Sequence, residues 1–139
     1  PASEVGIDLM IETAVGVARY DEIASASRRV ESLQFGLYDY QRSIQARPAA
    51  GVDHLVHPIS RVVSAARSDG LRPIDSAIAD FSAEQVDLIE SARRGHALGC
   101  AGKQVLTWDL AHYVNELFSP RVSEVTHARE VVAAADRAE

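Results

Sequence analysis

The sequence predicts an α/β protein built on a parallel sheet, because short, nearly continuous apolar runs recur along the chain and helical stripes separate them. The candidate strands are Ile7 to Ile11, Leu33 to Leu37, Leu71 to Ile74 and Lys103 to Leu106. Near-continuous apolar character is typical of strands that are covered on both faces, as in parallel sheets. Pro73 is unusual inside a central strand, since it cannot donate to the hydrogen-bond ladder.

Helical periodicity fills the intervals between these strands. Leu55, Ile59, Val62 and Ala66 share one helical face, and Gly70 is a stop signal. Further helices are predicted over residues 20–26, 82–99, 110–117 and 122–135. In the second of these, Ser82 and Gln85 form a capping box and Gly99 is a stop signal. Residues 41–51, which include Pro48 and Gly51, are predicted to form one long loop. The pattern is therefore βα four times plus a terminal helix, which implies right-handed crossovers.

Two architectures satisfy this pattern. One is a small doubly wound sheet, and the other is half of a (β/α)₈ barrel, whose full length is typically about 250 residues. The sequence contains no GxGxxG and no GxxxxGK[ST] motif, so the nucleotide-binding form of the doubly wound sheet has no support. Periodicity alone leaves both architectures open.

Composition restricts the class of protein. The 139 residues suit one domain, and a formal charge of −6 argues against broad binding to nucleic acid or anionic membranes. No apolar run approaches the roughly 20 residues of a membrane span, and the first residues lack the pattern of a signal peptide. Cys100 is the only cysteine, which excludes an internal disulfide and fits a reducing compartment. We therefore expect a cytoplasmic protein without nucleic-acid or membrane partners.

Two carboxylates follow the first two candidate strands. Glu12 ends the first run and Asp39 comes after the second. Catalytic residues in parallel α/β folds gather at the carboxyl ends of strands, and paired carboxylates suit a hard divalent cation. The alternative interpretation is that both acids cap helices or are solvated loop residues. Asp75 ends the third candidate strand and is a further candidate for the site or a further cap.

Several ordered segments carry a family resemblance. They begin with Met10–Gly16, Asp21–Ala24 and Phe35–Tyr40 and continue through residues 65–71, 74–75, 98–99, 102–103, 115–120 and 124–129. Together these segments resemble the HpcH/HpaI aldolase and citrate lyase β-subunit family, and they are most similar to its malyl-CoA and β-methylmalyl-CoA lyase branch.

The resemblance implies a (β/α)₈ barrel, with residues 1–120 as its C-terminal half (strands five to eight) and residues 121–139 as a C-terminal helix. Members of this family cleave or form a carbon–carbon bond in a 3-hydroxyacyl-CoA, typically converting malyl-CoA to acetyl-CoA and glyoxylate. The resemblance also implies Mg²⁺, with Mn²⁺ as a second candidate, bound by Glu12 and Asp39. CoA esters and 2-oxo acids are the implied substrates. Asp75 and Trp108 are candidate substrate contacts, although Trp108 equally suits a core or an interface.

The chain also departs from the family pattern. The expected Asp-Gly-Pro is Asp75-Ser76-Ala77, and the expected Ile-His-Pro is Leu106-Thr107-Trp108. The family's substrate-binding arginine and the catalytic aspartate of its lid are expected outside these 139 residues, and no catalytic residue is identified within them. A half barrel exposes sheet edges that seek partners, so we expect a homo-oligomer or assembly with the complementary N-terminal half. The alternative function is a non-catalytic, barrel-derived subunit or fragment that retains the scaffold without turnover.

Overall fold

A parallel sheet with helices in its crossovers organises the described chain. The computed structural model describes residues 5–47, 49, 53–78 and 85–138. Within these residues the strands are β1 (Ile7–Ile11), β2 (Val30–Phe35), β3 (Arg72–Asp75) and β4 (Gly102–Lys103), all parallel and in the order β1-β2-β3-β4. The helices are α1 (Ala14–Ala18), α2 (Tyr20–Ala24), α3 (Leu37–Ser43), α4 (Val56–Ser68), α5 (Gln85–Ala97), α6 (Trp108–Phe118) and α7 (Val122–Asp136).

The strand order distinguishes the two architectures that the sequence left open. Each new strand joins the sheet beside the previous one, always on the same side. With right-handed crossovers, every connecting helix then lies on one face of the sheet. A doubly wound sheet must reverse its strand order to cover both faces. The observed order therefore favours a segment of a (β/α)₈ barrel.

The hydrophobic core lies between the sheet and the helices. Leu33 and Phe35 of β2 are fully buried against Tyr20, Ile59 and Val62, which are also fully buried. Burying a side chain of this size contributes roughly 1.5–3 kcal/mol relative to leaving it exposed. The helical face predicted from the spacing of apolar residues between 55 and 66 is thus confirmed.

The opposite face of the sheet carries polar pairs. Successive strand residues point to opposite faces, so Asp8, Met10, Ser32 and Gln34 turn away from the helices. Ser32 Oγ donates a hydrogen bond of 2.5 Å to Asp8 Oδ1, and Gln34 Oε1 accepts one from Gln104. Met10 remains 49% exposed. We refer to this surface below as the open face.

Two helices that the sequence analysis did not predict lie close to the strand ends. β2 stops at Phe35 instead of Leu37, because Gly36 is the N-cap of α3. The predicted loop after β2 is therefore wrong in its first part, where α3 continues to Ser43. Helix α1 is only five residues long and so lacks the repeated apolar spacing that predicts a longer helix.

The ends of the other elements also differ from the prediction. β4 is limited to Gly102–Lys103 and does not extend to Leu106. Gly70 and Gly99 lie just after the C-terminal ends of α4 and α5 and have φ values of 73° and 99°. Glycine adopts this left-handed conformation without steric cost, which explains its presence after both helices. The predicted capping residue Ser82 and the predicted loop residues Pro48 and Gly51 lie outside the described residues.

Pro73 lies in a central strand, and the short neighbouring strand explains how. Its carbonyl oxygen accepts a hydrogen bond from Ala101 N at 2.7 Å, so its nitrogen faces the same neighbour. That neighbour is β4, which pairs with β3 only from Ile74 onwards. The missing donor therefore falls beside the start of an edge strand, where it interrupts no established ladder.

Helix α7 contributes no buried residue to the core. The proposed boundary between residues 1–120 and 121–139 stays a prediction. Among the described residues, no helix is both long enough and apolar enough to span a bilayer.

Candidate metal site

A small cavity lies where the carboxyl ends of all four strands meet. Its volume is about 120 Å³. The residues that matter for its chemistry are Glu12 after β1, Gly36 and Asp39 after β2, Ser76 and Ala77 after β3, and Gln104 after β4. Catalytic groups concentrate at this end of a (β/α)₈ barrel, so the cavity is in the expected place.

Gly36 makes room for the Glu12 side chain. A Cβ atom at position 36 would lie 2.5 Å from Glu12 Cβ and 2.8 Å from Glu12 Oε2. The backbone at Gly36 has φ −101° and ψ 99°, a conformation that any residue adopts. Glycine is therefore required at position 36 because a larger side chain would collide with Glu12. This close approach packs the segment that carries Glu12 against the one that carries Asp39.

Hydrogen bonds tie the same two loops together. Thr13 caps α1, its Oγ1 accepting from Gly16 N at 3.0 Å. Ala14 N donates to Ser43 Oγ of α3 at 2.9 Å, and Gly36 N donates to Ile11 O at 2.9 Å. These contacts hold the segment that follows β1 against α3.

The structure brings Glu12 and Asp39 to one cavity. Glu12 is half-buried, and Asp39 is exposed in the first turn of α3. Within the described part of the chain, no three or more His, Cys, Asp or Glu side chains converge. Two carboxylates fit Mg²⁺, which usually binds through one or two carboxylates and keeps several waters. The role of the two residues as ligands stays a prediction.

Asp75 forms a buried ion pair that the sequence analysis missed. Lys103 Nζ lies 2.7 Å from Asp75 Oδ2, and both side chains are 0% exposed. Burial lowers the pKa of Lys103, and the negative charge of Asp75 opposes that shift. The sequence feature that could have predicted this pair is Lys103 itself, which lies in the fourth candidate strand. A fully buried lysine is rare without a partner of opposite charge. Substrate contact by Asp75 stays a prediction, and in this chain its carboxylate is enclosed.

Trp108 lies apart from the cavity wall. It is the first residue of α6 and is 94% exposed. Its position after β4 places it at the same end of the sheet as the cavity, since the helix begins where the strand ends. Its predicted contact with substrate therefore stays a prediction, and it is not buried in the described core.

A larger cleft of about 860 Å³ lies at the other end of the molecule. Residues near the C-terminal ends of α5 and α6 line it, including Arg93, His96 and Phe118. Helices of βα units run antiparallel to their strands, so these ends lie beside the amino ends of the strands. In barrels that end serves stability more than catalysis.

Comparison with known proteins identifies the lineage. The profile of the HpcH/HpaI aldolase/citrate lyase family matches residues 2–108. The chain belongs to this family. It is 30% identical over 151 residues to the L-malyl-CoA/β-methylmalyl-CoA lyase of Rhodobacter capsulatus, covering 96% of this chain and 47% of that protein. It is 31% identical over 133 residues to citrate lyase subunit beta of Escherichia coli, covering 96% and 44%.

Solved structures agree on the fold. The chain resembles the protein CitE of Mycobacterium tuberculosis, in complex with magnesium, acetoacetate and coenzyme A, with a TM-score of 0.75, 26% identity, and coverage of 96% of this chain and 51% of that one. It resembles a citrate lyase of Burkholderia xenovorans with a TM-score of 0.81 at 23% identity, covering 96% and 44%. The chain thus spans about half the length of its relatives, and the predicted half-barrel α/β fold is confirmed.

Proposed function

We propose that this chain carries the metal-binding half of a Mg²⁺-dependent carbon–carbon lyase that acts on a 3-hydroxyacyl-CoA such as malyl-CoA. The products would be acetyl-CoA and glyoxylate. One observation carries the proposal: Glu12 and Asp39 line the same cavity at the carboxyl ends of the strands, with Gly36 leaving space for Glu12. Membership in a family of CoA-ester and oxo-acid lyases gives that cavity its chemistry.

Glu12 and Asp39 would hold the cation through oxygen, and Mn²⁺ would satisfy the same ligands. When bound, the ion would offset the negative charge that develops on the hydroxyl oxygen during cleavage, and in the reverse direction it would polarise the carbonyl of the 2-oxo acid. The chain's own residues orient the substrate around it. Gln104 presents an amide at the cavity wall, held by Gln34 on the open face. Trp108, exposed at the same end of the sheet, would contact the acyl-CoA.

The remaining parts of the site would come from a complementary N-terminal half, either on the same polypeptide or on a partner chain. The open face supports this proposal, because its residues Asp8 and Met10 lie uncovered by helices. In a closed barrel this face would meet the other half. Assembly with further copies of the chain is the second arrangement that would cover it. The single buried cysteine, Cys100, supports a reducing, cytoplasmic location.

Calorimetry with Mg²⁺ tests the metal site. Replacing Asp39 with Asn removes a full negative charge from the cavity, so we expect the Mg²⁺ affinity to fall at least about tenfold, or about 1.4 kcal/mol. Asp69→Asn is the matched control, since Asp69 is also exposed but lies at the C-cap of α4, outside the cavity. Equal affinity for Mg²⁺ in wild type and Asp39→Asn would sink the assignment.

Release of glyoxylate from malyl-CoA tests turnover. We expect little activity from these 139 residues alone, because losing one oxyanion donor already costs about 10²–10³ in rate and losing substrate positioning costs more. Adding an N-terminal half-barrel from a relative should restore part of the rate. The competing function is a non-catalytic subunit, supported by the segment Leu106-Thr107-Trp108, which replaces the Ile-His-Pro expected of the family. A chain that binds Mg²⁺ normally but gains no activity on complementation would favour that alternative.

A further inference from the structure

Lys103 makes two contacts from a single buried ammonium group. Its Nζ donates to Asp75 Oδ2 and also to the carbonyl oxygen of Ser76. Gln104 N donates to Asp75 O at 3.0 Å, extending the pairing of β3 and β4 by one more bond. The start of the segment that follows β3 is therefore fastened both through its backbone and through the buried pair.

That segment forms one wall of the candidate metal cavity. Ser76 and Ala77 line the cavity together with Glu12 and Asp39. Ser76 is 4% exposed, so its backbone position is set by the packing around it. A shift of Ser76 O away from Lys103 would move this wall relative to the two carboxylates.

Residues of α5 and of the segment before β4 surround the ion pair of Lys103 and Asp75. Gly95 of α5 backs the Asp75 carboxylate, and a Cβ there would lie 2.7 Å from Asp75 Oδ2. The positive charge of Arg94 adds to the lowering of the Lys103 pKa by burial, and Cys100 opposes it. Among the described residues, Asp75 Oδ1 has no hydrogen-bond partner, so the carboxylate is not fully satisfied by this arrangement.

Stability alone is a weak reason for such a pair. Replacing a buried ion pair with well-packed apolar groups of similar volume is often neutral or stabilising, because desolvation offsets the attraction. A neutral replacement cannot reproduce the charged hydrogen bond to Ser76 O, which is stronger than a neutral one. The contact with the cavity wall is thus the property that only the lysine provides.

We propose that Lys103 is a positioning residue, which acts through Asp75 and the Ser76 carbonyl to set the Ser76–Ala77 wall of the metal cavity. This inference rests on the proposed metal site. It gives Asp75 an indirect role in place of direct substrate contact. It also explains why a lysine occupies a buried position at the end of β4, one residue before Gln104.

Mn²⁺ binding, measured by electron paramagnetic resonance, tests the proposal. The double variant Lys103→Met/Asp75→Asn removes both charges while keeping similar side-chain shapes, so it should fold. We expect its Mn²⁺ affinity to fall at least about fivefold, and its unfolding temperature to fall as well, because the Ser76 carbonyl and the amide introduced at position 75 lose their hydrogen-bond partner. If the pair only stabilised the fold, the folded double variant would bind Mn²⁺ with wild-type affinity. That result would overturn the proposal.

Two further variants complete the design. Ala77→Gly loosens the same wall without changing Lys103 or Asp75, and we expect a smaller loss of Mn²⁺ affinity than in the double variant. If the double variant does not fold, Ala77→Gly provides the test. Unchanged Mn²⁺ affinity in Ala77→Gly counts against the proposal. Asp39→Asn separates this inference from the proposed function. If Asp39→Asn binds Mn²⁺ as wild type does, the metal site itself is wrong. If only Asp39→Asn loses affinity, the metal site stands and the role of Lys103 is refuted.

Discussion

Substituting Gly36 with alanine perturbs the candidate site through space alone. The added Cβ would lie 2.5 Å from Glu12 Cβ, whereas carbon atoms pack optimally at about 3.5–4.0 Å. Glu12 Cβ is attached directly to the backbone, so the end of β1 must move by about 1 Å. Overpacking of this kind typically costs roughly 1–3 kcal/mol. The loss of glycine's freedom in the unfolded chain offsets about 0.4–1 kcal/mol of that cost.

Metal affinity is the more sensitive consequence. Mg²⁺ demands ligand oxygens at about 2.0–2.1 Å in near-ideal geometry, so a shift of about 1 Å in the Glu12 backbone would disturb the proposed coordination. We therefore expect Gly36→Ala to weaken Mg²⁺ binding at least about tenfold, or about 1.4 kcal/mol. Calorimetry at fixed pH gives the affinity, and urea unfolding gives the change in stability.

Gly70→Ala is the matched control. Gly70 has φ +73°, and a Cβ there would meet nothing within 4 Å. Alanine in this left-handed conformation costs roughly 1–2 kcal/mol but leaves the cavity unchanged. Both variants should lose stability, and only Gly36→Ala should lose affinity for Mg²⁺. Wild-type Mg²⁺ affinity in a folded Gly36→Ala protein would refute the reasoning.

Two other predictions concern stability. Burial raises the pKa of Cys100 from 9.0 to about 12, so this thiol's contribution to stability is present below pH 9.0 and is lost as the pH rises towards 12. Urea titrations at several pH values should show a shallower alkaline decline in Cys100→Ala, and an unchanged decline would contradict the assignment. Ending the chain at Arg121 removes α7, which buries no residue, so the unfolding free energy should change by less than about 0.5 kcal/mol. A larger loss on calorimetric scanning would show that α7 packs against the rest.

Local features of the sequence predicted the parallel sheet and both candidate ligands. Ile7 to Ile11 is a strand as predicted, and Glu12 follows it directly. Apolar spacing over residues 55–66 predicted α4, and Gly70 and Gly99 marked the ends of their segments. These signals are legible because they depend on backbone geometry and on residues close together in the chain. Short elements such as α1 lacked enough periodicity to be detected.

Contacts between distant residues were decided only by the tertiary structure. The side-by-side order of the strands, which distinguishes a barrel segment from a doubly wound sheet, depends on which strands pair. The need for glycine at position 36 arises from Glu12, 24 residues earlier, and the enclosure of Asp75 depends on Lys103, 28 residues later. The spacing of residues along the chain does not predict either contact. Steric exclusion and desolvation act between atoms that are brought together only by folding.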